Sequence, residues 1–289
     1  MHNTPGEGCV GKRATDPNPL LPDPAAPPPG PPLGPEADEA AKRAMALWVH
    51  ARLGAEYGAP FRFFSTKDPL SELVSALLSH RTRNAESHRA YQQLRAALPT
   101  WEQVRDAPVA DVQALLAPCT WPEQKAPRIQ DVLREISRRC KAQNQSAEQA
   151  AIQTPGQAPC ALDFLAKMPV AEARAWLESI PGVGPKTSAA VLLFSNLRIA
   201  AMPVDSHHHR VAQRLGLIGP KVGEGLAHAL LTALLPPAWE HDAQAVYDHH
   251  EALMFHGQKC CFYQGPACGR CVVLAGCPTG LARIVNSAP

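Results

Sequence analysis

Four cysteines near the C-terminal end of the chain have a spacing that suits a metal centre. Cys261, Cys268, Cys271 and Cys277 follow the pattern C-x6-C-x2-C-x5-C within seventeen residues. Their loop holds few apolar residues, so a metal centre held by the four thiolates is needed to give it a fixed structure. Zinc normally uses two closely spaced C-x2–4-C pairs, and this segment has one. The spacing therefore favours a four-iron–four-sulfur cluster, with zinc as the alternative.

The other cysteines have different interpretations. Cys260 stands next to Cys261 and could replace it as a ligand. Three cysteines are scattered singly along the chain and are predicted to be small, inert hydrophobic residues: Cys119, Cys140 and Cys160.

A second segment has the character of a phosphate-binding turn. Residues 180–187 read Ile-Pro-Gly-Val-Gly-Pro-Lys-Thr and lie between two amphipathic helical stretches. Gly182 and Gly184 permit backbone conformations that other residues rarely adopt, and Pro185 suits the first turn of the outgoing helix. Free backbone N–H groups there can donate to a phosphate oxygen without any side chain. An ordinary helix connection is the alternative, but the full string favours a sequence-independent contact between a nucleic-acid backbone and Gly182, Val183 and Gly184.

Three consecutive histidines, His207, His208 and His209, do not indicate a metal site. Neighbouring residues on a helix point about 100° apart, so three adjacent side chains cannot converge on one ion. His207 is expected to pack near Asp205, and the other two are expected to be solvated or structural. The pair at 249–250 has the same interpretation.

Composition restricts the class of protein. The chain has 289 residues, of which 45% are hydrophobic, and a formal net charge of +2. Residues 1–40 carry −4, so the remaining 249 residues carry +6, which permits a locally basic face. No apolar run reaches the ~18–20 residues of a membrane span, and the N-terminus lacks the pattern of a secretory signal. We expect a cytoplasmic protein, nucleoid-associated in a bacterium, with reduced thiols and no membrane partner.

Helical periodicity dominates the chain from residue 37 onward, and no segment alternates apolar and polar residues at strand length. The pattern predicts an all-α protein of about ten short helices. Eleven of the thirty prolines lie within residues 1–35, so residues 1–36 are predicted to be a disordered Pro-rich tail. Residues 143–160 are polar and rich in Gln and Ala, which predicts a flexible loop.

Three segments together resemble one family of DNA repair enzymes. IPGVGPKTSAAVLLF, VDSHHHRV and HGQKCCFYQGPACGRCVVLAGC occur in the order and approximate spacing of the endonuclease III branch of the helix–hairpin–helix DNA glycosylases. ELVSALLSHRT is similar to the family's opening helix, and CTWPEQKA to the loop before its next helix. The resemblance covers about Leu70 to Pro278.

The resemblance implies a two-domain helical fold. Residues 66–198 would form a six-helix barrel with the helix–hairpin–helix. Residues 37–65 and 199–280 would form a helical domain that carries the cluster, and residues 281–289 a C-terminal tail. In the family the active site lies in the cleft between the domains, beside the hairpin.

The resemblance also implies a reaction. In the family the lysine of the hairpin is the nucleophile and the aspartate of the second segment assists it, which here are Lys186 and Asp205. The amine attacks C1′, expels the base and forms a Schiff base, and β-elimination then cuts the strand. The implied enzyme is a monomeric, bifunctional DNA glycosylase and AP lyase. It would act on oxidised pyrimidines or abasic sites in double-stranded DNA. Without the resemblance, Lys186 suits a phosphate contact and Asp205 a helix cap.

The chain departs from the family where DNA is contacted. A target base must be flipped out of the duplex, and other residues must fill the gap. Arg81 stands where relatives commonly carry a Gln wedge, and the second wedge position falls at Trp121. The cluster loop FYQGPA has no basic residue, so Lys259 and Arg270 are expected to substitute there.

Two other functions remain open. One is a glycosylase of the same superfamily for a mismatch, an alkylated base or a pyrimidine dimer. Its adenine-removing branch is disfavoured, because that branch uses a Glu where this chain has Ala76. The other is a non-catalytic, cluster-bearing DNA-binding module, against which the presence of both Lys186 and Asp205 argues.

Overall fold

The computed structural model describes residues 21–34, 36–148 and 161–286, with the backbone alone for 142–148. This part of the chain is all-α, as predicted, and contains no strand. None of its helices is both long and apolar enough to cross a membrane. Short 3₁₀ segments lie between some of its α-helices. The α-helices are α1 (Glu39–Tyr57), α2 (Pro69–Ser79), α3 (Asn84–Ala97), α4 (Trp101–Asp106), α5 (Val109–Leu115), α6 (Pro122–Glu148), α7 (Val170–Glu178), α8 (Pro185–Phe194), α9 (Ser206–Arg214), α10 (Glu224–Thr232), α11 (Ala243–Lys259) and α12 (Pro278–Asn286).

Side-chain caps fix where several helices begin. Asp68 accepts a hydrogen bond from the backbone N–H of Ser71 (2.9 Å) at the start of α2, and Pro69 occupies the first turn. Thr100 and Gln103 form a reciprocal capping box at α4. Each cap satisfies a backbone donor that has no partner within its helix and typically contributes about 1 kcal/mol. These helix starts are therefore determined locally.

Buried apolar side chains form two clusters. The first gathers residues of α2 to α8 between positions 70 and 201. The second gathers Leu33, the inner face of α1 and residues between positions 202 and 277. Helix α8 belongs to both, because Leu192 lies in the first cluster and Leu193 in the second. The helix that follows the hairpin is thus held at the junction of two cores.

The end of α8 is tied to the link that precedes α2. The N–H of Asn196 donates to the carbonyl of Lys67 (2.8 Å). The Arg198 guanidinium donates to the carbonyl of Ser65 and lies over the ring of Phe63, 3.8 Å from its centroid. These contacts fix α8 at its C-terminal end, so its position does not depend on core packing alone.

Two helices extend further than the sequence predicts. Helix α6 continues to Glu148, so residues 143–148 are helical rather than loop, and residues 149–160 lie outside the described part. Ala, Gln and Glu are good helix formers, and their enrichment lengthens the helix. Helix α12 begins at Pro278 and continues to Asn286, so it crosses the boundary expected at residue 280.

Residues 21–34, predicted as part of a disordered tail, instead pack against α1; residues 1–20 lie outside the described part. The Trp48 indole N–H donates to the carbonyl of Ala26 (2.9 Å), and the Arg52 guanidinium to that of Pro24 (2.9 Å). Leu33 is buried in the second core. A proline-rich segment keeps its carbonyl acceptors free, so side chains of the body can bind it without secondary structure.

A glycine leaves the space that the Leu33 side chain occupies. Gly216 has a left-handed backbone (φ +78°), and a Cβ there would lie 3.0 Å from the Cβ of Leu33. Any side chain at position 216 would push Leu33 outward. The segment 21–34 is therefore part of the second core.

Replacing Leu33 by Ala should lower the free energy of unfolding by about 2–5 kcal/mol, as for other buried leucines. The side chain is only 7% exposed. Thermal or urea unfolding followed by circular dichroism measures the change. Leu226, which is 59% exposed, supplies the control, since Leu226→Ala should change stability by at most about 0.5 kcal/mol. Equal stability of the two variants would show that residues 21–34 do not pack on the body.

Candidate functional site

The hairpin presents Lys186 at the start of α8. Pro185 opens the helix, and the cap residue Gly184 supplies no side-chain hydrogen bond, so first-turn N–H groups remain available. Gly182 has φ +94°, a conformation that L residues rarely adopt, while Val183 is buried and anchors the turn. Lys186 is exposed. The turn therefore offers backbone donors and one amine to solvent at the same place.

Asp205 caps α9. One carboxylate oxygen accepts from the backbone N–H of His208 (2.7 Å), and the other lies 3.1 Å from Nδ1 of His207. The side chain is 17% exposed. Burial alone would raise the pKa of Asp205, but the His207 side chain, His250 and the N–H of His208 outweigh it and hold this pKa well below its usual range. Asp205 is thus an anion at neutral pH and also the cap predicted as its alternative role.

Lys186 and Asp205 act on the same buried imidazole. Burial lowers the pKa of His250 to about 4, Asp205 raises this pKa, and Lys186 lowers it. The amine and the carboxylate therefore both lie within electrostatic range of one imidazole. Glu251, the next residue of α11, is buried beside Asp205, and desolvation and that carboxylate raise its pKa to about 7. Nothing in the sequence pattern indicated that Glu251 would be buried.

Histidines beneath Asp205 are buried and neutral. Burial lowers the pKa of His208 to about 3 and moves the pKa of His249 well below its ordinary value. Nδ1 of His208 lies 3.5 Å from Nδ1 of His250. His207 packs against Asp205, as expected, and the three adjacent histidines do not converge. This layer supports Asp205 without adding positive charge beneath it.

The structure brings the two expected wedge residues together. Arg81 follows α2 and Trp121 precedes α6, yet the Arg81 guanidinium carbon lies 5.8 Å from the centroid of the Trp121 ring. Both side chains are exposed, Trp121 by 45%. Both backbones are left-handed, with φ of 49° and 53°. Non-glycine residues in that region cluster at functional sites, which suits a pair that enters DNA.

Arg128 is a cation that the sequence analysis missed. It lies on α6, is exposed, and its Cγ is 3.4 Å from where a Cβ on Gly182 would stand. The hairpin backbone therefore has a guanidinium beside it. Its position three residues after Lys125 on a helix was visible in the sequence, but its contact with the hairpin was not.

Lys259 lies next to the cysteine loop. It is the last residue of α11, and its ammonium lies 4.6 Å from the ring centroid of Phe255 and 5.3 Å from that of Tyr57. Arg270 donates to the carbonyl of Lys259. These two cations flank the cysteine loop.

The cysteines of the C-terminal segment line one cavity. All four predicted ligands contribute to the wall, and so does Cys260. The predicted hydrophobic cysteines Cys119 and Cys140 are buried elsewhere, and Cys160 lies outside the described residues. The spacing in the sequence thus corresponds to convergence in space.

The donors around this cavity suit thiolates. The backbone N–H of Gly280 donates to Sγ of Cys277 (3.3 Å), and the Arg214 guanidinium donates to Sγ of Cys261 (3.2 Å). Burial raises the pKa of Cys271 to about 12 and that of Cys277 to about 11, so these bare thiols are protonated at neutral pH. A metal centre supplies the positive charge that stabilises thiolates in such a site. The residues present therefore fit a four-thiolate group.

A second donor set overlaps the first. Sγ of Cys260, Sγ of Cys271 and a ring nitrogen of His256 lie within 4.8 Å of one another. The Cys260 thiol otherwise contacts the carbonyl of Ala267 (3.5 Å). A zinc ion held by histidine and cysteine thus remains the alternative at this cavity.

The two cores, the hairpin and the lysine at the start of α8 define a helix–hairpin–helix protein. Residues 74–237 match the HhH-GPD superfamily of base excision DNA repair proteins over more than half of the chain, and the chain belongs to this family. The resemblance to its endonuclease III branch is confirmed. Family and fold support DNA glycosylase and AP lyase activity.

Similar proteins extend this assignment. Endonuclease III of Thermotoga maritima is 26% identical over 210 residues, which cover 73% of this chain and 83% of that protein. A putative DNA glycosylase of Arabidopsis thaliana is 27% identical over 191 residues, 66% of this chain and 57% of the plant protein. A solved structure of a trapped endonuclease III–DNA covalent intermediate, the estranged-adenine complex, is similar in fold (TM-score 0.63, 19% identity). The aligned region covers 86% of this chain and 99% of the endonuclease III chain.

The buried histidines predict how stability depends on pH. Each titrates near ~6.5 when unfolded but lower when folded, so between these values the unfolded chain binds more protons. The stability they contribute is complete above pH ~6.5 and is lost as the pH falls toward ~4, by up to about 1.4 kcal/mol per histidine per pH unit. Three carboxyl groups whose pKa burial raises, Glu72, Asp248 and Glu251, oppose this, but they are fewer than the buried histidines with a lowered pKa. The melting temperature should therefore be lower at about pH 5 than at about pH 7.5.

The variant His249→Asn should reduce this difference, because it removes one buried imidazole, whereas the exposed control His88→Asn should not. Equal melting temperatures of the wild-type protein at the two pH values would contradict the neutral, buried layer.

Proposed function

We propose that the chain is a bifunctional DNA glycosylase and AP lyase that removes oxidised pyrimidines from double-stranded DNA. One observation carries the proposal: an exposed lysine and an ionised aspartate, Lys186 and Asp205, stand at the start of two helices, and both charges influence the pKa of the buried His250. The relatives named endonuclease III and the trapped covalent intermediate in a solved structure of that fold support a covalent route.

In this route Nζ of Lys186 forms a bond to C1′ as the bond from C1′ to the base breaks, and the base leaves with that electron pair and takes the proton that the amine loses. Opening of the sugar ring gives a Schiff base. It acidifies C2′, whose proton is lost as the 3′ phosphate leaves, and water then releases Lys186. Because the pKa of Asp205 is well below its usual range, the carboxylate stabilises the positive charge that develops on the sugar.

DNA binding follows from the hairpin. The N–H groups of Gly182 and Gly184 and of the first turn of α8 donate to a phosphate, whereas that of Val183 already donates to the carbonyl of Ile180 (3.0 Å). Arg128 adds a cation beside the turn. Arg81 and Trp121 occupy the space that the flipped base leaves. The duplex is thus bound mainly through its backbone, which suits a chain of small net charge.

A four-iron–four-sulfur cluster is proposed for the cysteine cavity, with Cys261, Cys268, Cys271 and Cys277 as ligands. When bound, the cluster would act structurally, by cross-linking the C-terminal loop. Arg214 holds the same loop from α9, because it donates to the carbonyls of Phe262 (2.6 Å) and Tyr263 (2.9 Å).

The nucleophile is tested by Lys186→Gln. The variant should form no borohydride-stable adduct with abasic DNA while keeping most of its affinity, because backbone N–H groups supply the phosphate contacts. Gel-based trapping and a binding titration measure the two properties. Lys221→Gln, at an exposed lysine on another loop, is the control and should trap like the wild type. An adduct with the Gln variant would assign the reaction to another amine.

The cluster is tested by composition. Anaerobically purified protein should be yellow-brown and contain about four irons per chain. Cys268→Ser should lose iron and solubility, whereas Cys140→Ala, at a buried cysteine outside the cavity, should retain the iron. Stoichiometric zinc without iron would replace the cluster by a zinc site at this cavity.

The substrate class is tested with duplexes that each carry one defined lesion. Single-turnover rates should be highest for oxidised pyrimidines, and strand cleavage should accompany base release because both steps use the Schiff base. Faster release of a mismatched or alkylated base would identify another lesion of the superfamily. Tight binding without base release or trapping would leave a binding module.

A further inference from the structure

The wedge pair has an unfavourable backbone at both of its members. Arg81 and Trp121 are left-handed, with φ of 49° and 53°, and neither is a glycine. Such residues persist where surrounding contacts fix them. Their two loops belong to distant parts of the chain, so the contacts that fix them must join α2 to α6.

Lys125 makes those contacts. It lies in the first turns of α6 and is 7% exposed. Its ammonium donates to the carbonyls of Leu78 (2.6 Å) and His80 (2.8 Å) and to the hydroxyl of Thr82 (2.5 Å). An ammonium has three donors, and all three are used. They bind carbonyls that the end of α2 leaves unpaired, where a cation is also favoured by the helix dipole.

Thr82 links the loop of Arg81 to the loop of Trp121. Its hydroxyl accepts from Lys125 and from the backbone N–H of Thr120 (3.2 Å), the residue before Trp121. The loop of Arg81 is also tied to the hairpin, because Nε2 of His80 lies 3.1 Å from the hydroxyl of Thr187. One buried ammonium and one hydroxyl thus hold both wedge loops beside α8.

We propose that Lys125 is a positioning residue, which holds Arg81 and Trp121 as one preformed pair that reads the base opposite the lesion; this rests on the proposed function. The indole ring offers a flat face beside the bases, and the guanidinium above it offers donors in a fixed plane. These donors match a base edge rich in acceptors, such as O6 and N7 of guanine. The pair should therefore prefer guanine opposite the lesion.

The first experiment measures the loops without DNA. Amide hydrogen exchange of residues 80–83 and 119–121 should become at least about tenfold faster in Lys125→Met, which keeps the stem and loses the donors. Thr82→Val should behave in the same way, and Thr82→Ser, which keeps the hydroxyl, should resemble the wild type. Helix α8 should exchange as before in all of them. Lys221→Met controls for loss of a positive charge.

The second experiment measures binding without chemistry. The probe is a duplex with a tetrahydrofuran abasic analogue opposite each of the four bases. The wild type should bind the guanine duplex at least about fivefold more tightly than the others, and Arg81→Gln should remove that ratio. Lys125→Met and Thr82→Val should remove it as well, although they leave Arg81 in place, and Thr82→Ser should keep it.

Unchanged amide exchange in both Lys125→Met and Thr82→Val would overturn the proposal. So would a preference for the guanine duplex that survives in these two variants, or the absence of that preference from the wild type. If Lys125→Met does not fold, Thr82→Val and Thr82→Ser decide alone. Failure of the proposed reaction is seen separately, as the absence of borohydride trapping, because neither experiment here requires catalysis.

Discussion

Helix α8 is buried from Thr187 to Leu193, and its two faces belong to two different cores. Lys186 is the exposed residue of this helix, and Pro185 and Phe194 at its two ends are half-buried. The buried hydroxyl of Ser188 donates to Glu178 of the preceding helix (2.6 Å), which ties the two arms of the hairpin together. Because the helix cannot move without disturbing both cores, the turn before it has a fixed position. The available N–H groups and Lys186 depend on that constraint.

Charge is arranged locally rather than over the whole molecule. The net charge is +2, yet three cations act on one ring: burial, and to a smaller extent Lys186, Lys125 and Arg128, lower the pKa of His80 to about 4. The buried histidines His208 and His249 are neutral, so they do not offset the negative charge of Asp205. A duplex can therefore meet positive charge at the hairpin while the developing charge on its sugar meets a carboxylate.

Local features of the fold could be predicted from the sequence because their causes are local. Pro185 opens α8 where its fixed φ suits a first turn, and the closely spaced cysteines converge because short loops join them. Features that depend on distant contacts could not be predicted. The carbonyls of residues 21–34 accept hydrogen bonds from side chains of α1. Lys125 is buried because α2 ends beside it. A lysine in the first turns of a helix ordinarily indicates an exposed side chain.

The proposed reaction depends most on which amine attacks C1′, and identification of the cross-linked peptide tests this directly. The protein is incubated with abasic duplex DNA and borohydride, digested with nuclease and trypsin, and analysed by mass spectrometry. Modification of Lys186 blocks cleavage at that residue, so the account predicts the adduct on the peptide that spans residues 175–198. An adduct on any peptide without Lys186 would contradict the account.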